Sequence, residues 1–200
     1  MSISIVGTGN VGSALAHVFA RNKVEALVAN TRGPASFREL AADVSPTIRG
    51  VELSEALASD LILLAIPFLA VESLGGSRRG WSGKTIVDVT NAFLLPNADE
   101  VLAGRLSTEI VADAFPGAET VKAFNQLPAN VLARDRSGER GKQVVFVSSN
   151  SAGASARVAE LAERLGFSAI ELGHLDEGGR LIQARNALVL RNLIELPMSA

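Results

Sequence analysis

Met1-Ser2-Ile3-Ser4-Ile5-Val6 runs directly into Gly7-Thr8-Gly9-Asn10-Val11-Gly12, and this stretch decides how the rest of the chain is read. A bare G-x-G-x-x-G is weak evidence, because glycine is common. Here it follows a hydrophobic strand over 3–6 and opens an Ala/Val/Leu-rich helix over 10–21, which is the context that a dinucleotide-binding loop requires. Gly7 permits the tight turn out of the strand, Gly9 lets backbone amides approach a pyrophosphate, and Gly12 lets the helix pack closely on a sheet. The unpaired N–H groups and the positive dipole end at the helix start then hold phosphate charge.

Outward from this loop, short aliphatic runs alternate with Ala-rich amphipathic stretches, the pattern of βα units and a parallel sheet. Strands are expected over 3–6, 26–29, 61–65, 85–89, 121–124, 143–147 and 168–171. Helices are expected over 10–21, 36–43, 53–58, 68–74, 108–114, 152–165 and 177–196. The fold class is therefore α/β, a doubly wound, mostly parallel Rossmann sheet with a long C-terminal helix. The stretch from Thr90 to Gly104 reads as the longest loop, a connection rather than a boundary. A single domain over 1–200 is expected.

Composition narrows the function classes. Aliphatic and small residues dominate a hydrophobic fraction of 48%, against 4% aromatics, which suits a parallel sheet covered by helices better than an aromatic-cored sandwich. Nineteen basic and 21 acidic residues give a net charge of -2, so no nucleic-acid partner is expected. Cysteine is absent, which excludes disulfides and thiol catalysis and suits a cytoplasmic home. No secretory leader is expected at the N-terminus. The longest apolar run, from Leu61 to Ala70, is interrupted by Pro67, too short for a membrane span. The two histidines are far apart and have no cysteine beside them, so no metal site is expected.

The residues after the second strand select the dinucleotide. An NAD site places an acidic side chain about 20 residues beyond the loop to accept from the ribose hydroxyls. This chain offers Asn30-Thr31-Arg32-Gly33 and no carboxylate. Thr31 can donate its hydroxyl, and Arg32 can pair with a 2′-phosphate or stack over adenine, so NADP(H) is the expected cofactor. Ala65-Ile66-Pro67-Phe68 and Thr90-Asn91-Ala92 follow later strands, at the carboxyl ends where the nicotinamide half would lie. Asp88, inside a strand, reads as a residue that orders a neighbouring loop.

On these residues the sequence resembles the coenzyme F420-dependent NADP oxidoreductase family. The resemblance runs through GTGNVGSALA (7–16), NTRG (30–33), AIPF (65–68), GKTIVDVTN (83–91), VKAFNQLPA (121–129) and GHLDEGGRLIQ (173–183). The chain is also similar to the reductase domain of the STEAP metalloreductases and, more remotely, to pyrroline-5-carboxylate reductases, whose helical dimerisation domain it lacks. The resemblance implies a dimeric enzyme that passes hydride between NADPH and a small-molecule acceptor, namely a deazaflavin such as coenzyme F420 or a flavin, FMN or FAD. It implies that Thr8, Gly9, Asn10 and Val11 line the pyrophosphate, with Thr31 and Arg32 on the 2′-phosphate. Ile66, Pro67, Asn91, Ala123, Phe124 and Asn125 would surround the nicotinamide, with Ala65 at the strand end before them. KAFNQLPA (122–129) is closer to short bacterial members than to the archaeal enzymes, so the resemblance implies the donor more strongly than the acceptor.

Hydride transfer between two rings needs no nucleophile or metal, since the cofactors carry the chemistry and the protein holds them in register. A chain with no Cys, no Tyr and two His fits that mechanism. His17, mid-helix beside Ala14 and Val18, reads as a packing or surface residue. His174, in Gly173-His174-Leu175, reads as a loop residue, with a hydrogen bond to an acceptor as its functional alternative. Lys122 reads either as a surface lysine or as a neutraliser of a phosphate or reduced ring. The apolar positions Leu181, Ile182, Ala184, Ala187, Leu188, Leu190, Leu193 and Ile194 give the expected terminal helix a face too wide for a lone surface helix, consistent with a homodimer. Two other readings stay open: direct reduction of a small carbonyl or imine, with His174 or Lys122 as proton donor, and an NADP(H)-binding sensor without turnover. Arg32→Ala is expected to weaken NADPH binding by about 1.5–3 kcal/mol, the range for a charge-assisted hydrogen bond, and to leave NADH little changed. Equal losses in titrations with the two nucleotides would remove Arg32 from the 2′-phosphate.

Overall fold

The hydrophobic run Leu61-Ile62-Leu63-Leu64 has no polar alternation because both of its faces are covered, as in a parallel sheet clad by helices on two sides. Leu61 and Leu63 join a core with Ile5, Val87 and Val121, while Ile62 and Leu64 face the opposite core with Val6 and Ile86. In the computed structural model, which describes residues 1–37, 44, 46–92 and 95–198, the strands are β1 (Ile3–Val6), β2 (Ala26–Ala29), β3 (Ile48–Gly50), β4 (Leu61–Leu64), β5 (Thr85–Asp88), β6 (Glu119–Ala123), β7 (Lys142–Ser149), β8 (Ser168–Glu171) and β9 (Ile194–Glu195). Among the described residues they form one sheet in the order β3-β2-β1-β4-β5-β6-β7-β8, with β9 paired to β7. Every neighbour from β3 to β6 is parallel; β7 turns antiparallel to β6, and β8 runs parallel to β7.

The helices are α1 (Asn10–Arg21), α2 (Leu53–Ala56), α3 (Val71–Gly75), α4 (Ala98–Leu102), α5 (Ser107–Ala114), α6 (Ala129–Leu132) and α7 (Ala152–Arg164). One face of the sheet packs Leu15, Val18 and Phe19 of α1 with Val158 and Leu161 of α7. The other packs Ala56, Val71, Val111 and the edge-to-face pair Trp81–Phe115, with ring centroids 4.7 Å apart. This is the doubly wound, mostly parallel α/β fold expected from the sequence. Among the described residues no helix is long and apolar enough to cross a membrane.

Several expected elements are corrected. No long helix spans 177–196. Residues Leu175–Gly179 make a single π-helical turn, and turns follow it to the short strand β9. Helix propensity loses here to tertiary hydrogen bonds that capture the backbone: Asn125 Nδ2 donates to Ile182 O, and Leu190 N donates to Gln126 O. Arg185 and Leu190 take left-handed φ values of 70° and 62°, which no α-helix tolerates. The strand expected over 121–124 stops at Ala123, because Phe124 has φ 59°. The loop expected over 90–104 contains α4, and β3 was too short to announce itself by periodicity. The helix expected over 36–43 lies mostly outside the described residues; Pro34–Phe37 form a 3-10 turn.

A buried ion pair ties the carboxyl end of β5 to its neighbours. Lys122 Nζ donates to Asp88 Oδ2 at 2.9 Å and to Thr90 O at 2.6 Å, with the two side chains 1% and 0% exposed. Asp88 Oδ1 accepts from Thr90 N and Oγ1, and Oδ2 also accepts from Thr108 Oγ1 on α5. Lys122 is therefore neither a surface lysine nor free to meet a ligand, and Asp88 orders the loop that carries Asn91. Removing one partner of such a pair strands an unpaired charge. Lys122→Met is expected to cost about 3–5 kcal/mol, read as a fall in the urea midpoint at unchanged m value, and a loss under about 1 kcal/mol would contradict this role.

Candidate functional site

Gly7 (φ 108°) is where the chain leaves β1, and a side chain there would place Cβ 2.2 Å from Ala65 O; a Cβ on Gly12 would lie 1.9 Å from Gly7 O. Only glycine permits both contacts, and they bring the start of α1 onto the carboxyl edge between β1 and β4. That is where the strand order reverses, the position at which open α/β sheets bind ligands. Gly9 faces open space: among the described residues beyond its immediate chain neighbours, nothing lies within 4 Å of its would-be Cβ. It stands at the N-cap of α1, whose first turn receives no side-chain cap. Uncapped first-turn amides beside open space fit an anionic group such as a pyrophosphate.

The turn after β2 is built onto this loop. Asn30 Nδ2 donates to Thr8 Oγ1 at 2.7 Å, and Asn30 Oδ1 accepts from Arg32 N at 2.7 Å and from Ser36 Oγ at 3.1 Å. Ser36 Oγ also lies 2.8 Å from Gly33 O. Thr31 and Arg32 are exposed, with Arg32 Nη2 3.5 Å from Thr8 Oγ1, and among the described residues no carboxylate pairs with Arg32. A guanidinium left unpaired and aimed back toward the glycine loop fits a 2′-phosphate. Sequence reasoning passed over Asn30 and Ser36. Their signal was the Asn that ends a strand, followed by a Gly-containing turn and a Ser, the composition of an Asx turn.

A cleft of about 600 Å³ borders the loop on its other side, between α1 and α6, with Thr8, Asn10, Ser13, His17 and Asn130 in its walls. His17 is thus half-buried on a cleft rather than packed in the core. At the far end of the edge, Ala65 and Ile66 are half-buried and Pro67 is exposed. Asn91 and Asn125 are paired: Asn91 Nδ2 donates to Asn125 O at 2.8 Å, and Asn125 Nδ2 donates to Asn91 Oδ1 at 3.1 Å. Ala123 and Phe124 are fully buried, the Phe124 ring edge-on to Phe167, so these two reach the edge through backbone only. The structure does not bring His174 to the site. Because β8 runs opposite to β6, Gly173 O accepts from Ser149 N, and Ser149 pairs with Val121. His174 therefore lies toward the amino end of β6, away from the glycine loop. Among the described residues no group of three His, Asp or Glu is arranged to hold a metal ion.

Residues 2–92 match the family model described as NADP oxidoreductase, coenzyme F420-dependent. Over 98% of its length the chain superimposes on 96% of a hypothetical protein of Sinorhizobium meliloti, with 40% identity and a TM-score of 0.91. It also superimposes, at 28% identity and a TM-score of 0.71, on a putative F420-dependent NADP-reductase of Arthrobacter, covering 88% of this chain and 86% of that one. Among curated proteins, the metalloreductase STEAP3 of Rattus norvegicus is 29% identical over 177 residues, 86% of this chain and 34% of that protein; the chain spans about a third of the length of the curated relatives it matches. The glycine loop and the acid-free turn braced on it both lie within residues 2–92, the part of the chain that matches the coenzyme F420-dependent NADP oxidoreductase family.

Proposed function

We propose that this protein, as one NADP-binding domain over 1–200, transfers hydride between NADPH and a flavin or deazaflavin ring of the coenzyme F420, FMN or FAD type. The observation that carries the reading is the turn Asn30-Thr31-Arg32-Gly33, which presents an unpaired guanidinium and no carboxylate and is braced on the glycine loop through Asn30 and Thr8. The uncapped start of α1 takes the pyrophosphate, Arg32 and Thr31 take the 2′-phosphate, and Ile66, Pro67, Asn91 and Asn125 border the nicotinamide. When bound, the nicotinamide supplies the hydride; the chain's own work is to orient and to exclude water.

The carboxyl edge supports ring-to-ring transfer over direct carbonyl or imine reduction. Such a reduction needs a proton donor beside the nicotinamide, and the two groups expected from the sequence to serve are elsewhere: Lys122 is locked on Asp88, and His174 lies toward the other end of the sheet. What remains at the edge is the neutral pair Asn91–Asn125. Transfer between rings asks that nicotinamide C4 be held about 3–3.5 Å from the accepting ring atom, C5 of a deazaflavin or N5 of a flavin, while the reduced ring takes its proton from solvent; orientation of this kind supplies on the order of 7–11 kcal/mol of barrier reduction. A homodimer belongs to the same reading, supported by the exposed side chains of Leu190, Leu193, Leu196 and Met198.

Stopped-flow nicotinamide absorbance of protein and NADPH, with FMN, FAD or coenzyme F420 added singly, is expected to show rapid NADPH loss with one ring and none without. Tight binding without oxidation by any ring would overturn the acceptor class, and sedimentation of the same samples as a monomer at micromolar concentration would remove the dimer. Asn30→Ala, which frees Thr8 as well as the Arg32 turn, is expected to weaken NADPH and NADH alike by about two- to tenfold, one neutral hydrogen bond's worth. A loss confined to NADPH would limit Asn30 to the 2′-phosphate.

A further inference from the structure

The motif GHLDEGGRLIQ (173–183) has no place in the dinucleotide site as described, yet the chain after it returns to the nicotinamide end. Its π-helical turn Leu175–Gly179 packs on β7 with Gly178 and Gly179 buried, and the chain then crosses the carboxyl edge of β5 and β6. Asn125, 4% exposed, spends both amide hydrogens there, on Asn91 Oδ1 and on Ile182 O at 2.7 Å. Gln183 Oε1 accepts from Ser107 N at 2.8 Å, at the first residue of α5. That helix runs back against the strands, so its start lies on the same edge, as the bond from Thr108 to Asp88 confirms. Farther along, Leu190 N donates to Gln126 O, and Leu193 O accepts from Val144 N.

Apolar packing accounts for only part of how this segment is held. Within 180–193 only Ile182 is fully buried, while Leu181, Leu190 and Leu193 are 43%, 68% and 43% exposed. Ile182 and Leu188 anchor the segment on Val144 and Phe146 of β7, and directional polar bonds join it to the residues that follow β5 and β6. Arg185 and Leu190 keep left-handed backbone, which persists only where the surroundings over-determine it. Among the described residues Asn125 Oδ1 is buried with no hydrogen-bond partner, an unsatisfied acceptor of the kind that native structures rarely leave without a purpose.

We infer that residues 180–193 form a strap that walls the nicotinamide end of the site, with Asn125 and Gln183 as its positioning residues, so that a planar hydride acceptor enters against the strap; this rests on the NADPH reading of that edge. Asn125 sets the strap's distance from the edge through Ile182 O, and Gln183 sets its angle by capping α5. Neither group touches the 2′-phosphate end, so the preference for NADPH over NADH is independent of both.

The test is titration of NADPH into the intact protein and into Asn125→Ala, Gln183→Ala and Gln183→Glu, reading the emission of the bound reduced nicotinamide and amide hydrogen exchange in 180–193. Both alanine variants are expected to lose at least half of the emission gained per bound NADPH and to exchange strap amides about two- to tenfold faster. Their NADPH-to-NADH affinity ratio is expected to stay unchanged. Gln183→Glu, whose carboxylate still accepts from Ser107 N and suits a helix start, is expected to restore both readouts. Emission of Trp81, buried ahead of β5 at the opposite end of the sheet, reports the fold in nucleotide-free samples; should Asn125→Ala fail to fold, the Gln183 pair carries the test. Faster strap exchange with unchanged nicotinamide emission overturns the strap as a wall of the site, as does no change in either. Failure of the unaltered protein to bind NADPH overturns the cofactor reading itself, and the strap with it.

Discussion

The carbonyl of Ala65 stands where a side chain on Gly7 would have to be, and the carbonyl of Gly7 stands where a side chain on Gly12 would have to be. This pair of close approaches is the constraint on which the site depends. It lets β1, β4 and α1 meet at backbone contact, and so places the uncapped start of α1 over the sheet at the reversal of strand order. With any larger residue the helix would stand away from the edge, and its first-turn amides would no longer converge with the turn after β2. The Asn30–Thr8 bond then converts two loops into one surface, the frame on which the proposed pyrophosphate and 2′-phosphate contacts rest.

A second constraint acts at the other end of the edge and is electrostatic. Burying Lys122 and Asp88 together is costly unless their remaining hydrogen-bonding capacity is filled, and the protein fills it with Thr90 and Thr108. The result is a rigid connection among β5, β6 and α5 from which Asn91 and Asn125 project. An ion pair that looks catalytic by residue type is thus architectural. The neutral amides of Asn91 and Asn125 stand beside it at the carboxyl edge, which suits the proposed ring-to-ring transfer.

The antiparallel turn into β7 has a further consequence. Reversing the direction of β7 and β8 carries His174 toward the amino end of the sheet, and the π-helical turn brings the chain back to the carboxyl end. The C-terminal residues can therefore bond to Asn125, Gln126 and Ser107, which a straight helix from 177 onward would have passed by. Apolar side chains spaced as a helical stripe are divided by this path between the buried Ile182, the half-buried Ala184, Leu188 and Ile194, and the exposed Leu181, Ala187, Leu190 and Leu193.

The sequence by itself determined the α/β class, the position of the nucleotide loop and the absence of an acid in the turn after β2. These are local properties: an apolar strand, a G-x-G-x-x-G and a helix adjoin one another in the chain, and β1, β2 and α1 lie where periodicity placed them. The carboxyl-end positions of 65–67 and Asn91 were legible for the same reason, since a strand end is readable from its own residues. Only the tertiary structure decided what depended on partners distant in the chain. Lys122 lies in an alternating strand that says nothing of Asp88, 34 residues away, and Ala123 and Phe124 were turned into the core by pairing with β7 and by Phe167. The terminal segment has the spacing of a helix, but hydrogen bonds offered by Asn125, Gln126 and Ser107 outweighed a propensity of a few tenths of a kcal/mol per residue, and such bonds exist only once the sheet has formed.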